Sequence, residues 1–564
     1  MFFSPVAERS WKVRMLYLSF YGILTVGALT MVFPFVIMLA GSVEPGTRFT
    51  DSPLFPKYVF QIERLWDRYL EAKYHNESEL LRMAWGNSAL DLGVPPSSPA
   101  DSDGVELWNE FLAKNDLPEI LFSPGFCAVG QRVPYYYNRV FRSWLRERFI
   151  SIGKLNQTLG TTFRSFQVIG PPNLSLVGGS LNRTPLVEQF LEFSRTVVPA
   201  RRKFAWDAGG YYRSVFLPRI IGDNIADFNA RFGTSFKRYA EVPFSDTVPA
   251  IASDPWFTFV SQLMRPDFVE LTAAGEARLR ESGLGRAEFI RRSATPPDLR
   301  VATADRLFAN WAAVRHGVTD ARIPQPSLDA DALKQDRFFW TRVFLTQNFL
   351  QVSDEIFVHG RAMGNTVVLV LLKVLGALFV NPLAAYALSR FKLRLTYVIL
   401  FIFLLTIAFP AEVTMIPVFL QLREMGMLNT LWALILPGMA NGFSIFLLKG
   451  FFDSLPKELY EAAELDGASE WRMFWIITMN LSKPILAVIA LGAFVSAYGA
   501  FFYALIVCPD PKMWTIMVYI YQLQNTAAAP VVYASLIITA IPMLLMFIFC
   551  QNIILRGIVV PSEK

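Results

Sequence analysis

Six stretches of the chain, at 15 to 41, 364 to 388, 397 to 420, 430 to 450, 485 to 507 and 531 to 555, are mostly apolar and long enough to cross a bilayer. A crossing needs about 20 such residues. Lipid supplies no hydrogen-bond partners, so a spanning backbone must satisfy its own polar groups, and segments of this length do so as helices. Of the 564 residues, 53% are hydrophobic and 18% charged, but the apolar ones crowd into these stretches. Residues 45 to 360 read instead as ordinary soluble protein. The sequence therefore predicts an all-α, six-span membrane helical bundle with a soluble domain inserted after its first span. That first span, MLYLSFYGILTVGALTMVFPFVIMLAG, is too long for a signal-peptide core and has no clear A-x-A cleavage site. It reads as an uncleaved signal anchor.

Orientation follows from the placement of Lys and Arg in short loops. Arg9, Lys12 and Arg14 precede the first span, and Arg390, Lys392 and Arg394 lie between the second and third. Lys449, Lys457, Arg472 and Lys483 lie between the fourth and fifth, and Arg556 and Lys564 follow the sixth. The opposite short loops carry Arg423 and Lys512. Both termini and the loop 449 to 484 are expected to be cytoplasmic, with 45 to 360 extracytoplasmic. The net charge of +6 fits the usual Lys/Arg excess of membrane proteins and argues against nucleic acid as a partner. Cys127, Cys508 and Cys550 show no C-x-x-C spacing, and His75, His316 and His359 lack neighbours at ligand spacing. No disulfide framework, zinc site or other metal is expected.

Two ionisable residues fall inside spans, where such groups are functional candidates. Lys373 either faces a polar translocation path or snorkels to the headgroups, and Glu412 sits in FPAEVTMIP, late in the third span. Pro382, Pro410, Pro417, Pro437 and Pro542 interrupt helix hydrogen bonding in or near spans, either as hinges or as fixed kinks.

The charged stretch ELYEAAELDGASEWRMF interrupts this apolar half of the chain. Ser454 and Pro456 suit a helix start. Leu455, Leu459 and Ala462 or Ala463 then recur at helical spacing, with Glu458, Glu461, Glu464 and Asp466 on the remaining surface. Gly467 is suited to end that helix; Ser469 caps a second, EWRMFWIITMNL, which Pro484 closes. The acidic face argues against a helix lying among anionic headgroups and for one gripped by a protein.

ELYEAAELDGASEWRMFWIITMNLSKPIL resembles the EAA loop of binding-protein-dependent ABC importer permeases. GNTVVLVLLKVLGALFVNPLAAYALSRFKLR, FPAEVTMIPVFLQLREMGMLNTLWALILPG, IPMLLMFIFCQNIILRG and PFVIMLAGSVE are similar to the carbohydrate-uptake branch, the partner permease of the maltose or glycerol-phosphate type. The resemblance implies a type I ABC importer permease fold for residues 361 to 564 together with 1 to 44. It implies that Glu461, Ala462, Ala463, Asp466 and Gly467 form a coupling helix seated on an ATPase. The implied partners are two ATP-binding cassette ATPase subunits, a second permease subunit and an extracytoplasmic substrate-binding protein, in a bacterial inner membrane. The chain has no G-x-x-x-x-G-K-[ST] sequence, so ATP is expected on the partner ATPases, with no cofactor and no enzymatic site in this chain. Tyr498, Gly499 and Ala500 stand where many members have Trp-Asn, so no sugar-contacting residue is carried over.

The insertion 45 to 360 departs from that family. Aligning ELLRMAWGNSALDLGVPPSSP, KLNQTLGTTFRSFQVIGPPN and DFNARFGTSFKRYAEVPFSD puts Gly86, Gly160 and Gly233 in register, 74 and 73 residues apart, with a shorter echo ending at Pro324. This predicts mainly helical repeats of about 74 residues. The final helix, RFFWTRVFLTQNFLQVSDEIFVHG, is expected to run straight into the second span. The LNxxxGTxFRSF pattern is locally similar to a surface turn of bacterial beta-galactosidase-like glycosidases, without a recognisable catalytic carboxylate pair. Trp66, Trp85, Trp108, Trp144, Trp206, Trp256, Trp311 and Trp340 fall in the insertion, and aromatics at helical spacing are chiefly core. The leading expectation is an ATP-driven sugar or oligosaccharide importer permease. The alternatives are a permease with a glycan-binding or glycan-cleaving outer module, and a transport-derived sensor.

Overall fold

The computed structural model describes residues 11–44, 55–75, 77–85, 102–128, 135–319, 321–358, 360–391, 394–408 and 410–556. Arg9, Gly86, His359, Lys392 and Lys564 fall outside these, as do the side chains of Lys12, Arg14, Glu412 and Arg556. The chain forms two compact units, Met1–Ser42 with Phe349–Lys564, and Val43–Asn348.

In the membrane unit, three helices are continuous and apolar enough to cross a bilayer: Met15–Ser42, Ala362–Arg390 and Ala529–Gln551. Two bent helix pairs have similar length and apolar character, Leu431–Gly438 with Gly442–Asp453 at 45° and Glu470–Leu481 with Lys483–Tyr498 at 83°. Six uninterrupted spans are therefore not what the sequence folds into among the described residues. The stretch 397 to 420 divides into Thr396–Ala408 and Ala411–Glu424, each too short to cross alone. Pro410 is the extended residue that starts the second piece, as expected where proline removes a donor and disfavours helix just before itself. The helix expected over 485 to 507 stops at Tyr498, and Phe502–Val507 resumes separately after Gly499 and Ala500. Ile516–Gln524 is an additional short helix, with Ile516, Val518, Ile520 and Leu523 buried.

The long helix Gln325–Ser353 does not run on into the second span. It passes into a π-helical turn, Asp354–Val358, and Ala362–Arg390 starts afresh after Arg361. Val352 and Ile356 are buried with Tyr498, Ile516 and Val531, and the Tyr519 hydroxyl donates to Glu355 at 2.8 Å. These contacts draw residues 349 onward into the membrane unit.

Ala362–Arg390 packs against both Lys483–Tyr498 and Gly442–Asp453, while Trp11–Ser42 packs on Ala529–Arg556. Asn381, buried beside Pro382, accepts the Asn441 N–H at 2.8 Å and donates to the Ala377 carbonyl at 2.9 Å. Asn441 in turn accepts the Ser444 N–H at 2.9 Å. Two of the donors released at the bend of the fourth stretch, the N–H groups of Asn441 and Ser444, are thus satisfied by side chains. A Cβ at Gly442 would lie 2.8 Å from the Phe403 carbonyl oxygen, so only glycine permits this approach.

The unit Val43–Asn348 is built mainly from short helices around one aromatic core. Trp66, Trp85, Trp108, Trp206, Trp256 and Trp340 are buried, and Trp144 and Trp311 pack against the same cluster. Asp329, fully buried, accepts from Lys73 Nζ at 2.5 Å, Tyr74 at 2.6 Å, Gln325 at 2.8 Å and Trp85 at 2.9 Å. That carboxylate ties the helices Ile62–Lys73, Ser78–Trp85 and Gln325–Ser353 together.

Two short antiparallel ribbons join the helices, Phe122–Pro124 with Lys203–Ala205 and Val269–Leu271 with Leu299–Val301. The helical reading of the insertion missed them, because three-residue strands leave no alternating pattern long enough to register. Gly160 and Gly233 end the helices Ile152–Leu159 and Ile225–Phe232 with φ of 65° and 64°. At the first turn, Asn156 accepts from the Thr161 hydroxyl and the Phe163 N–H and donates to the Phe163 carbonyl. Asn229 does the same with Thr234 and Phe236. Gly86, the third member of that register, lies outside the described residues.

Candidate functional site

Pro456, extended at φ −57° and ψ 126°, opens the helix Lys457–Leu465. Ser454 does not cap it, as the sequence had suggested. It closes the preceding helix, its hydroxyl donating to the Phe451 carbonyl at 2.7 Å. The buried face is also rotated from the one expected. Tyr460, 3% exposed, takes the inward seat, whereas Leu459 is 43% and Leu465 90% exposed. Ala463 is half-buried and Ala462 exposed. Tyr460 wins the seat because its hydroxyl shares a 2.8 Å hydrogen bond with Thr478 and its ring receives the Arg390 guanidinium at 4.2 Å.

The reversal is a glycine cap. Gly467 takes φ 75°, its N–H donates to the Glu464 carbonyl at 3.0 Å, and the Ala468 N–H reaches back to Ala463 at 2.9 Å. This is the paired bonding of a Schellman motif, with Ala463 and Ala468 in the same apolar cluster. Ser469 then caps the next helix, accepting the Arg472 N–H at 3.4 Å. That helix continues through a π turn, Phe474–Thr478, which buries Met473, Phe474 and Thr478 and leaves Trp471 and Ile476 exposed.

Polar side chains fasten the loop to the last turn of Ala362–Arg390. The Tyr386 hydroxyl donates to Glu470 Oε2 at 2.6 Å, and Arg390 Nη2 to Glu464 Oε1 at 2.9 Å. Ser389 donates to Asp453 at 2.7 Å, and Lys449 pairs with the same carboxylate at 2.5 Å. Sequence reasoning singled out Glu461, Ala462, Ala463, Asp466 and Gly467. Of these, Ala463 is half-buried and the other four are exposed. It missed Tyr386, Tyr460, Glu470 and Thr478, and used Arg390 only for orientation. A signal was available: Tyr386, Ser389 and Arg390 stand at i, i+3 and i+4, a polar face closing an otherwise apolar helix.

Of the two translocation candidates, Lys373 alone has a described side chain. Lys373 is half-buried against the turn at Gly438, where a Cβ would lie 3.8 Å from its ammonium, and has no ion-pair partner among the described residues. The side chain of Glu412 lies outside them. Near Lys373, Leu375, Phe379, Trp432, Met439, Trp475 and Met479 line an apolar cavity of about 580 Å³.

A family model described as the binding-protein-dependent transport system inner membrane component matches residues 380–560. The sn-glycerol-3-phosphate transport system permease protein UgpE of Yersinia enterocolitica is 32% identical over 209 residues, covering 36% of this chain and 74% of that protein. Protein LplC of Bacillus subtilis is 29% identical over 253 residues, covering 42% of this chain and 84% of its own length. The diacetylchitobiose uptake system permease protein NgcG of Streptomyces coelicolor is 29% identical over 199 residues, covering 34% of this chain and 66% of that protein. Among solved structures, a bacterial ABC transporter involved in import of the acidic polysaccharide alginate aligns with 36% of this chain and 78% of its own, at 26% identity and a TM-score of 0.33. Helical crossings joined by a braced polar loop, with the sequence relatives UgpE, LplC and NgcG, define the membrane-embedded part of a solute-uptake system. The chain belongs to the binding-protein-dependent transport system inner membrane component family, in its carbohydrate-uptake branch.

Proposed function

We propose that this permease is the moving subunit of an ATP-driven importer for a sugar or oligosaccharide, and that the loop 457 to 467 receives the stroke of an ATPase. One observation carries this reading: the loop has one face fixed and one free. Tyr460, with Glu464 on Arg390 and Glu470 on Tyr386, holds it to the end of Ala362–Arg390, while Leu459, Ala462, Leu465, Glu458, Glu461 and Asp466 are exposed. Leu465, 90% exposed, supplies apolar surface on that free face.

In this account two ABC ATPase subunits grip that free face and one on a second permease subunit. Closure of the ATPases around ATP displaces the loop, and the braces carry the displacement into Ala362–Arg390 and the crossings packed on it. The translocation path then alternates between inward and outward access, with Lys373 and Glu412 as candidate path residues. Both termini and the loop are cytoplasmic, residues 45 to 360 extracytoplasmic, and a substrate-binding protein delivers the cargo from outside. Supporting this orientation is the Lys/Arg bias of the short loops. ATP is bound by the partner subunits, and this chain supplies no catalytic residue.

The substitution Leu465→Asp tests the docking face without touching the braces. Co-purification with the cognate ATPase from detergent is expected to weaken at least tenfold, with the thermal stability of the permease unchanged. Undiminished co-purification would remove the loop from the interface.

A further inference from the structure

Lys373 is a cation that the fold places well inside the membrane unit. Its Cα lies about 16 Å from one end of the 29-residue helix Ala362–Arg390 and about 25 Å from the other. Leu369, Gly376 and Ala377, four residues before it and three and four after, are buried, so Lys373 stands on the side of the helix that meets protein. Its ammonium lies against Gly438, the last residue of the first half of a bent pair, where a Cβ would come 3.8 Å from Nζ and 3.9 Å from Cε. The carbonyl end of that half-helix offers only partial negative charge. Among the described residues no charged group lies close enough to act on this ammonium. Ionisable groups at membrane depth are costly alone; they pair with a counter-charge or face a water-filled path.

The cavity of about 580 Å³ adjoins this ammonium. Leu372 and Gly376, which flank Lys373 on its helix, line it, as does Met439 beside Gly438. Phe379, Trp432 and Trp475 add aromatic surface, which suits the C–H face of a sugar ring. No charged side chain among the described residues lines this wall, so Lys373 sets the sign of the potential at its edge.

The geometry points to Lys373 as the charge-selecting residue of the path: the cargo is a sugar bearing a carboxylate or a phosphate, whose negative charge meets this ammonium while its ring lies on the aromatic wall. The path and the sugar rest on the transport reading; the sign of the charge rests on the uncompensated ammonium. Glu412 and a carboxylate of a second permease subunit are the competing counter-charges.

The test uses the assembled transporter in proteoliposomes, with Leu375→Cys as reporter in the cavity wall, where Leu375 is exposed. Labelling rates are measured for an anionic and a cationic methanethiosulfonate reagent of similar size, each relative to free cysteine and corrected for the chain without the reporter. The anionic reagent should be favoured about tenfold; Lys373→Met should abolish the preference and Lys373→Arg keep it. Trimannuronate or glucose 6-phosphate should slow labelling severalfold, maltotriose should not, and the protection should vanish in Lys373→Met. Which of the two anionic sugars protects tells a carboxylate from a phosphate. A charge preference that is absent, or that emerges only in Glu412→Gln, overturns the inference. So does equal protection by maltotriose, protection by an anionic sugar that survives Lys373→Met, or protection by none of the three. The response of the same cysteine to ATP and vanadate reports on the transport reading, so the two fail separately.

Discussion

At the scale of single residues, the outer unit is held by groups whose charge state matters. Asp329 is surrounded by four donors, one of them the ammonium of Lys73, with no water-facing alternative. Asp329→Asn turns an acceptor into a donor facing donors and strands the buried Lys73 charge, a change worth about 3–5 kcal/mol. Calorimetry of the full chain should show the corresponding transition falling by roughly 10 °C; a transition left in place would mean the network is not what holds these helices. Asp207 is a second such group. Burial, followed by the nearby Asp305 carboxylate, pushes its carboxyl from 3.8 up to about 6, against the pull of the Gly210 N–H, Arg213 and Arg306. The folded unit therefore keeps a proton that the unfolded chain has released. For this group, stability is greatest near and below pH 4 and is lost as pH rises through 6. Asp207→Asn, which can still accept the Gly210 N–H, should raise the melting temperature at pH 8 and leave it nearly unchanged at pH 4; equal effects at both pH values would contradict the assignment.

At the scale of elements, the glycine cap at 467 is the clearest case of sequence dictating geometry. No neighbouring atom lies within 4 Å of a Cβ built there, so substitution meets only backbone strain at φ 75°. That strain is roughly 1–2 kcal/mol for an ordinary residue and least for Asn. Gly467→Val should lower ATPase co-purification about 5- to 30-fold, while Gly467→Asn should retain most of it; equal loss in both would point to a steric role instead. The turn was legible because E-A-A, Gly and Ser fall at spacings that only a helix, reversal and second helix satisfy. The rotation of the first helix was not, because apolar counting ranks Leu459 above Tyr460. A hydroxyl that finds Thr478 and a ring that finds Arg390 reverse that order, and both partners lie far away in the sequence. The same limit explains the membrane helices. Apolar length identified where lipid-compatible segments lie, but Pro410, the Gly442 approach to Phe403 and the Asn381–Asn441 bond decide where they break.

At the scale of the molecule, the chain forms one unit that carries the apolar helices and a second, Val43–Asn348, that interrupts the first in sequence. In the proposed mechanism, the loop moves Ala362–Arg390 because Tyr386 and Arg390 fasten it there. A direct test needs no knowledge of the cargo. With a cysteine introduced by Leu375→Cys in the apolar cavity, labelling by a membrane-impermeant thiol reagent is measured in proteoliposomes of the assembled transporter, with and without ATP and vanadate. With the braces intact, nucleotide should change the labelling rate several-fold. In the double variant Tyr386→Phe, Arg390→Ala, ATP hydrolysis should persist while the labelling rate becomes independent of nucleotide. A nucleotide response of the same size in the double variant would contradict the account.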